Sequence, residues 1–322
     1  MTDLPVNQVC FPQDTKRRKE FFKAASFSHP AKMSLGLQIY LIEHYTKPGD
    51  IILDPMAGSG TILVGAAIGR HIIAIELESK FCDMMRQNWE KIKSLGPLLG
   101  NEMGAATIIQ GDARNLEGVL ADCVISSPPF AGNTGGLKSA RNFKYGSDEL
   151  GKRMMGGIKG GTGENPDNID NLPYGSIDKI ISSPPYEKNE AFHDKNWKPP
   201  HDTTDLHKTK YAPTKENIGN LKSASYLEAM AQVYRGCYAV LKDKGLLILV
   251  VKNFIRKGQV VRLDSDTIRL CENAGFSLQE RLKRRLTQFS FWRTLEKKRW
   301  EKQGKEYPSD MTFEHILIFR KE

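Results

Sequence analysis

The residues best suited to chemistry fall into two groups. The first is the run Asp54-Pro55-Met56-Ala57-Gly58-Ser59-Gly60-Thr61, followed downstream by Glu76 and by Gly111-Asp112-Ala113-Arg114. Glycines at this spacing let the backbone turn tightly and approach a ligand without a Cβ clash. A carboxylate at the place of Glu76 can accept hydrogen bonds from both hydroxyls of a ribose. An acidic residue at the start of the loop would repel a pyrophosphate. Asp54 suits instead the ammonium and sulfonium charges of S-adenosylmethionine. Asp112, with Ala113 beside it, is placed to accept from an adenine amino group.

The second group is a proline-rich turn written twice. Asp122 to Phe130 reads DCVISSPPF, and Asp178 to Tyr186 reads DKIISSPPY. Each ends an apolar run with two serines, two prolines and an aromatic ring: Ser127, Pro128, Pro129 and Phe130 in the first copy, Ser183, Pro184, Pro185 and Tyr186 in the second. Proline fixes the backbone angle of such a turn and has no N–H of its own. The similarity extends upstream to Asn115-Leu116 and Asn171-Leu172, as an internal duplication would leave it.

These residues need a frame, and the pattern from Asp50 onward supplies one. Asp50–Asp54 and His71–Glu76 read as buried strands, Thr61–Arg70 as a helix of small residues and Glu78–Leu95 as an amphipathic helix. A third strand covers Ala106–Gln110, and helix Tyr226–Leu241 precedes strand Leu246–Val251. Strands separated by helices pair in parallel through right-handed crossovers, which predicts an α/β, doubly wound, Rossmann-like sheet. The loop 54–61 then lies where such a sheet binds its ligand. After helix Asp264–Ala274, the strands Ser277–Leu286 and Thr312–Arg320 follow with no helix expected between them, which predicts an antiparallel terminal edge on a mostly parallel sheet.

With 322 residues, 39% of them hydrophobic and 26% charged, the chain can bury one large core, and a single domain over 1–322 is expected. It divides into a cofactor-binding half (24–130), a glycine-rich insertion (131–176) and a catalytic half (177–322) with a basic, aromatic insertion (281–305). The five cysteines form no C-x-x-C pair. Neither a disulfide framework nor a metal centre is expected, and the irregular spacing of His193, His201 and His207 adds no ligand set. The N-terminus is polar and basic, and no apolar run is long enough to span a bilayer. A cytoplasmic protein without a membrane partner is expected.

In these motifs and their order the chain resembles the DNA amino-methyltransferases, which make N4-methylcytosine or N6-methyladenine in restriction-modification systems and phages. The resemblance spans roughly residues 24 to 320. Asp54–Thr61 is similar to their cofactor motif and Ser-Pro-Pro-Phe/Tyr to their catalytic motif. Ser28-His29-Pro30-Ala31-Lys32 is similar to the segment that closes over the methionine end of the cofactor. The resemblance implies a class I methyltransferase fold and S-adenosylmethionine as cofactor. Met56 departs from the pattern, standing where an aromatic residue is usual. A serine opening the catalytic motif leans toward cytosine N4, where aspartate or asparagine leans toward adenine N6.

The chemistry accounts for the residue types. An exocyclic amine has its lone pair delocalised into the ring and becomes nucleophilic when its hydrogens are held. Ser183 Oγ and the Pro184 carbonyl can hold them, or their counterparts in the first copy, and Tyr186 or Phe130 can stack on an extruded base. Flipping the base costs a few kcal/mol, stacking returns roughly 1–3 kcal/mol, and alignment can remove about 7–11 kcal/mol from the barrier. Positioning dominates. The first copy follows Asp112 at the natural distance from a third to a fourth strand; the second, which is favoured, leads directly into helix Tyr226–Leu241.

A formal charge of +9 suggests a polyanionic partner. Arg281–Lys305 concentrates the basic residues and interleaves Phe289, Phe291, Trp292 and Trp300, as a backbone-tracking surface would. Double-stranded DNA is the expected partner, RNA the lesser one, because RNA-modifying relatives usually carry an extra domain before the cofactor loop. The glycine-rich insertion and the segment 187–222 flank the two catalytic motifs and are candidates for reading the target sequence.

Overall fold

The computed structural model describes residues 6–28, 33–121, 177–185, 216–256, 258–286 and 291–322. The chain divides into two compact units, residues 1–119 with 174–322, and residues 120–173. Apart from the end of one helix, Leu116–Ala121, everything described below lies in the first. Its strands are β1 (Val6–Val9), β2 (Ile51–Asp54), β3 (His71–Glu76), β4 (Ala106–Gln110), β5 (Ile177–Ser182), β6 (Leu241–Val251), β7 (Phe254–Arg256), β8 (Gln259–Val261), β9 (Phe276–Arg285) and β10 (Phe313–Lys321). The principal helices are α1 (Thr15–Phe21), α2 (Leu35–Tyr45), α3 (Ser79–Leu95), α4 (Leu116–Ala121), α5 (Ser223–Val240), α6 (Leu263–Asn273) and α7 (Phe291–Lys302).

Eight strands form one sheet in the order β1-β9-β10-β6-β5-β2-β3-β4, and β7 and β8 form a separate hairpin. The pairs β2 with β3, β3 with β4, β2 with β5 and β5 with β6 are parallel. The interior residues of β2 and β3 (Ile52, Leu53, Ile72, Ile73, Ala74 and Ile75) are all buried. Uninterrupted apolar strands of this kind require cover on both faces, which helices crossing between parallel strands provide. From β2 the chain proceeds to β3 and β4 on one side, then returns to β5 and β6 on the other. The strand order therefore reverses between β2 and β5, and a crevice opens at their carboxyl ends.

The doubly wound sheet agrees with the expectation from sequence; its far side differs. The C-terminal strand is antiparallel, as expected, but it is not the edge. β10 lies between β6 and β9, antiparallel to both, and β1 lies beyond β9 and parallel to it. Ile316, Leu317, Ile318 and Phe319 of β10 are buried, as an interior strand requires and an edge strand does not. A helix, α7, separates β9 from β10 where none was expected. The helix read at Thr61–Arg70 is present at Thr61–Ile68, wound in the tighter 3-10 form and closed at Gly69. Among the described residues no helix is long and apolar enough to cross a membrane.

Candidate active site

The loop after β2 is built around its first carboxylate. Asp54 Oδ1 accepts from the Met56 N–H at 3.1 Å, which starts the turn, and the Ala57 N–H reaches across to the Ile75 carbonyl at 2.9 Å. Gly60 has φ +80°, and a Cβ there would stand 2.6 Å from Met85 Cγ, so both conformation and space call for glycine. Asn88, fully buried on α3, donates to the Ser59 carbonyl and accepts from the Lys23 N–H and the Ser26 hydroxyl, each at 2.9 Å. One amide side chain thus ties the loop to the N-terminal segment.

Glu76, ending β3, accepts from the Gly58 N–H at 2.9 Å and the Glu78 N–H at 3.0 Å. Asp112 follows β4; its carboxylate accepts from the Arg114 N–H at 2.9 Å and is clamped through both oxygens by the Arg114 guanidinium. Arg114 also donates to the Glu216 carbonyl. The neighbouring Asn217 donates to Glu78 at 2.8 Å, and Ile218 is buried beside it. Residues 216–218 thereby form a wall next to Asp112.

The second proline-rich copy stands on β5, beside β2. Ser182 is fully buried, and its hydroxyl donates to Asp54 Oδ1 at 2.7 Å. The Ser183 hydroxyl donates to the Val250 carbonyl of β6 at 3.2 Å. The Tyr226 hydroxyl, from α5, donates to the Pro185 carbonyl at 2.9 Å. Asp54, Glu76, Asp112, Ser183 and Pro185 line a single cleft of about 800 Å3, open solvent included.

Burial sets the electrostatics of this cleft. It pushes the Asp54 carboxyl up to about 7, against the hydrogen bonds from Ser182 and Met56 that favour its charged form. It also raises Glu76, with the N–H groups of Glu78 and Gly58 opposing. A ligand bearing positive charge next to Asp54 would replace the hydration that this carboxylate lacks. Three carboxylates at or just beyond three successive strand ends, and the aliphatic Ile218, line this cleft together. Carboxylates so placed would repel a pyrophosphate.

The cleft therefore gathers Asp54, Pro55, Ala57, Gly58, Ser59, Thr61, Glu76, Asp112 and Ala113 with Ser183 and Pro185. Gly60 shapes the loop behind it. Ser28 ends a 3-10 helix, Ala24–Ser28. His29, Tyr186, the first copy (Ser127, Pro128, Pro129, Phe130), the glycine-rich insertion and the three clustered histidines lie outside the described residues. Sequence reasoning did not reach Ser182, Asn88, Asn217 or Tyr226. Only Ser182, doubled beside Ser183 in both copies, carried a local signal.

Within the basic, aromatic stretch 281–305, three cations of the β-strand are held in ion pairs while four of the helix are exposed. Arg281 pairs with buried Asp264 and Lys283 with Asp310, each at 3.3 Å, while Arg284 pairs with buried Glu314. These residues are on β9, a strand inside the sheet, where Arg284 is buried and its partner offsets the cost of burying a cation. Trp300 packs edge-on against Tyr307. Lys297, Lys298, Arg299 and Lys302 on α7 are exposed.

Residues 6–87 match the family described as DNA methylase, of the N6 and N4 type. The chain is 37% identical over 75 residues to the Type II methyltransferase M2.MboI of Moraxella bovis, covering 23% of this chain and 26% of that protein. It is 34% identical over 86 residues to the Type II methyltransferase M.HinfI of Haemophilus influenzae, covering 26% and 23%. The match thus spans about a quarter of the length of these curated relatives. Among solved structures, TrmN from Thermus thermophilus superposes with a TM-score of 0.44 at 14% identity, over 96% of this chain and 53% of that one. The similarity to the DNA methylase family lies in residues 6–87, which hold the loop Asp54–Thr61 and Glu76.

Proposed function

We propose that this protein methylates the exocyclic amino group of a base in double-stranded DNA, cytosine N4 being the favoured target. The observation that carries this reading is that the Ser183-Pro184-Pro185 turn and the carboxylates Asp54, Glu76 and Asp112 border the same cleft. Asp54 would face the charged amino-acid end of S-adenosylmethionine, Glu76 the ribose and Asp112 the adenine. When bound, the cofactor supplies an electrophilic methyl group.

The turn is suited to holding an amine. Because the Ser183 hydroxyl gives its hydrogen to the Val250 carbonyl, its oxygen lone pairs are left to accept an N–H from the base. Tyr226 occupies the Pro185 carbonyl, which leaves Pro184 as the carbonyl of the turn that would take the second amine hydrogen. Two acceptors draw the nitrogen toward tetrahedral geometry, and alignment rather than proton abstraction does most of the work. Tyr186, next in sequence, would stack on the extruded base. A serine at the head of the turn favours cytosine N4 over adenine N6. The exposed cations of α7 would bind phosphates, and the glycine-rich insertion and the segment 187–222 would contribute to reading the target.

The test is to incubate the protein with methyl-labelled S-adenosylmethionine and double-stranded DNA and to identify the labelled nucleoside. N4-methylcytosine is expected. N6-methyladenine would overturn the base assignment, and label confined to RNA would overturn the substrate.

A further inference from the structure

The side chains assigned so far to the cofactor are acceptors, and they suit the cationic and hydroxyl parts of S-adenosylmethionine. Its amino-acid end also carries a carboxylate, which requires donors. One side chain in the cleft is a donor with no acceptor among the described residues. Gln38, on α2, lines the cleft, is 1% exposed, and its Nε2 has no hydrogen-bond partner among the described residues. It interrupts an otherwise apolar helix face, since Leu35, Leu37, Ile39, Leu41 and Ile42 are all buried in the core. A buried amide left unpaired costs free energy that an apolar side chain there would avoid. Its presence is accounted for if a ligand completes the bond.

A second donor, Thr61, lines the same cleft. Its hydroxyl oxygen accepts from Arg18 Nη1 at 3.1 Å, which leaves the hydroxyl hydrogen to be donated elsewhere. Arg18 is itself buried and is held by the Met33 carbonyl and Asp14. It places a guanidinium behind Thr61, where it strengthens that hydroxyl as a donor to an anion. α2 packs against the 3-10 helix that Thr61 begins, so the two donors belong to one wall of the cleft.

We propose that Gln38 Nε2, together with the Thr61 hydroxyl, binds the carboxylate of the cofactor's amino-acid end. This rests on the reading of the cleft as a site for S-adenosylmethionine. The test is calorimetric binding by the full chain of two ligands, S-adenosylmethionine and its decarboxylated form, which keeps the sulfonium and ammonium charges. The wild-type chain should bind the decarboxylated ligand more weakly. Gln38→Leu should weaken S-adenosylmethionine by roughly 10- to 100-fold, the range for a lost hydrogen bond to a charged group, while changing the decarboxylated ligand by less than about twofold. Gln38→Glu, which keeps the shape but sets an acceptor against the carboxylate, should weaken S-adenosylmethionine at least as much. Gln38→Leu should melt at the same temperature as the parent or higher, because it removes an unpaired amide. Equal losses for both ligands, or no loss for either, would overturn the proposal. Failure of the wild-type chain to bind either ligand would overturn the cofactor reading itself, and the proposal with it.

Discussion

The hydroxyl of Ser182 donates to the carboxylate of Asp54 at 2.7 Å, joining the end of β5 to the end of β2 where the strand order of the sheet reverses. The first serine of the proline-rich turn therefore supports Asp54, and the second, Ser183, lines the cleft.

Replacing Ser182 with alanine removes one of the two hydrogen bonds that favour the ionised form of Asp54. In Ser182→Ala the pH at which cofactor binding reaches half its maximum should move upward. Affinity at pH 7 should fall by roughly tenfold, as expected for a buried hydrogen bond. Titration with S-adenosylmethionine between pH 6 and pH 9 measures both effects.

Asp54 itself links pH to stability and to binding in opposite directions. Burial raises its carboxyl from the usual 3.8 to about 7, so the ligand-free fold prefers the protonated acid. Its contribution to stability is fully present below the unfolded value and is lost as pH rises through about 7. Asp54→Asn keeps an acceptor for Ser182 and Met56. It should be more stable than the parent at pH 8, by on the order of 2–4 kcal/mol in urea unfolding, and nearly equal to it at pH 4. On the proposed function, cofactor binding requires the carboxylate. Wild-type affinity should therefore rise from pH 6 to pH 8 with release of a proton near pH 7, and the asparagine variant should bind weakly with little pH dependence.

Much of this site was legible in the sequence because its anchors are carboxylates at the ends of apolar strands, a local pattern. Asp54 and Glu76 close apolar strands, and Asp112 stands two residues past a third, at the points where a chain must leave a sheet. Gln38, Asn88 and Tyr226 were not legible: each is a single polar group on a helix, and only tertiary packing decides whether it meets solvent, backbone or a cleft. The place of β10 between β6 and β9 was hidden for a related reason, since a strand's local pattern does not encode its neighbours. Helix α7 was missed because its sequence, Phe291–Lys302, is charged on nearly every side.

Tyr226 should act on the rate and not on the cofactor. Its hydroxyl holds the Pro185 carbonyl, and Tyr226→Phe would free that carbonyl to turn and compete with Pro184. Single-turnover methyl transfer should slow by roughly 10- to 100-fold, a range consistent with small misplacement of reacting groups. The dissociation constant for S-adenosylmethionine should stay within about twofold.

The basic residues of 281–305 should separate into two kinds. Glutamine at Lys298, Arg299 and Lys302 together should leave the urea midpoint unchanged while weakening DNA binding. It should also flatten the salt dependence by up to about 0.9 in log–log slope for each phosphate no longer neutralised. Glu314→Ala should do the reverse, because it leaves buried Arg284 unpaired, at a cost of about 3–5 kcal/mol in stability.

The most direct test of the central claim, that the turn after β5 delivers the amine to the cofactor cleft, is methyl transfer to double-stranded DNA by Ser183→Ala and Ser127→Ala measured side by side. Ser183→Ala should lose roughly 10- to 100-fold in rate, as expected for one missing acceptor, with cofactor affinity retained, and Ser127→Ala should stay within a few-fold of the parent. Loss confined to Ser127→Ala, or undiminished transfer by Ser183→Ala, would contradict it.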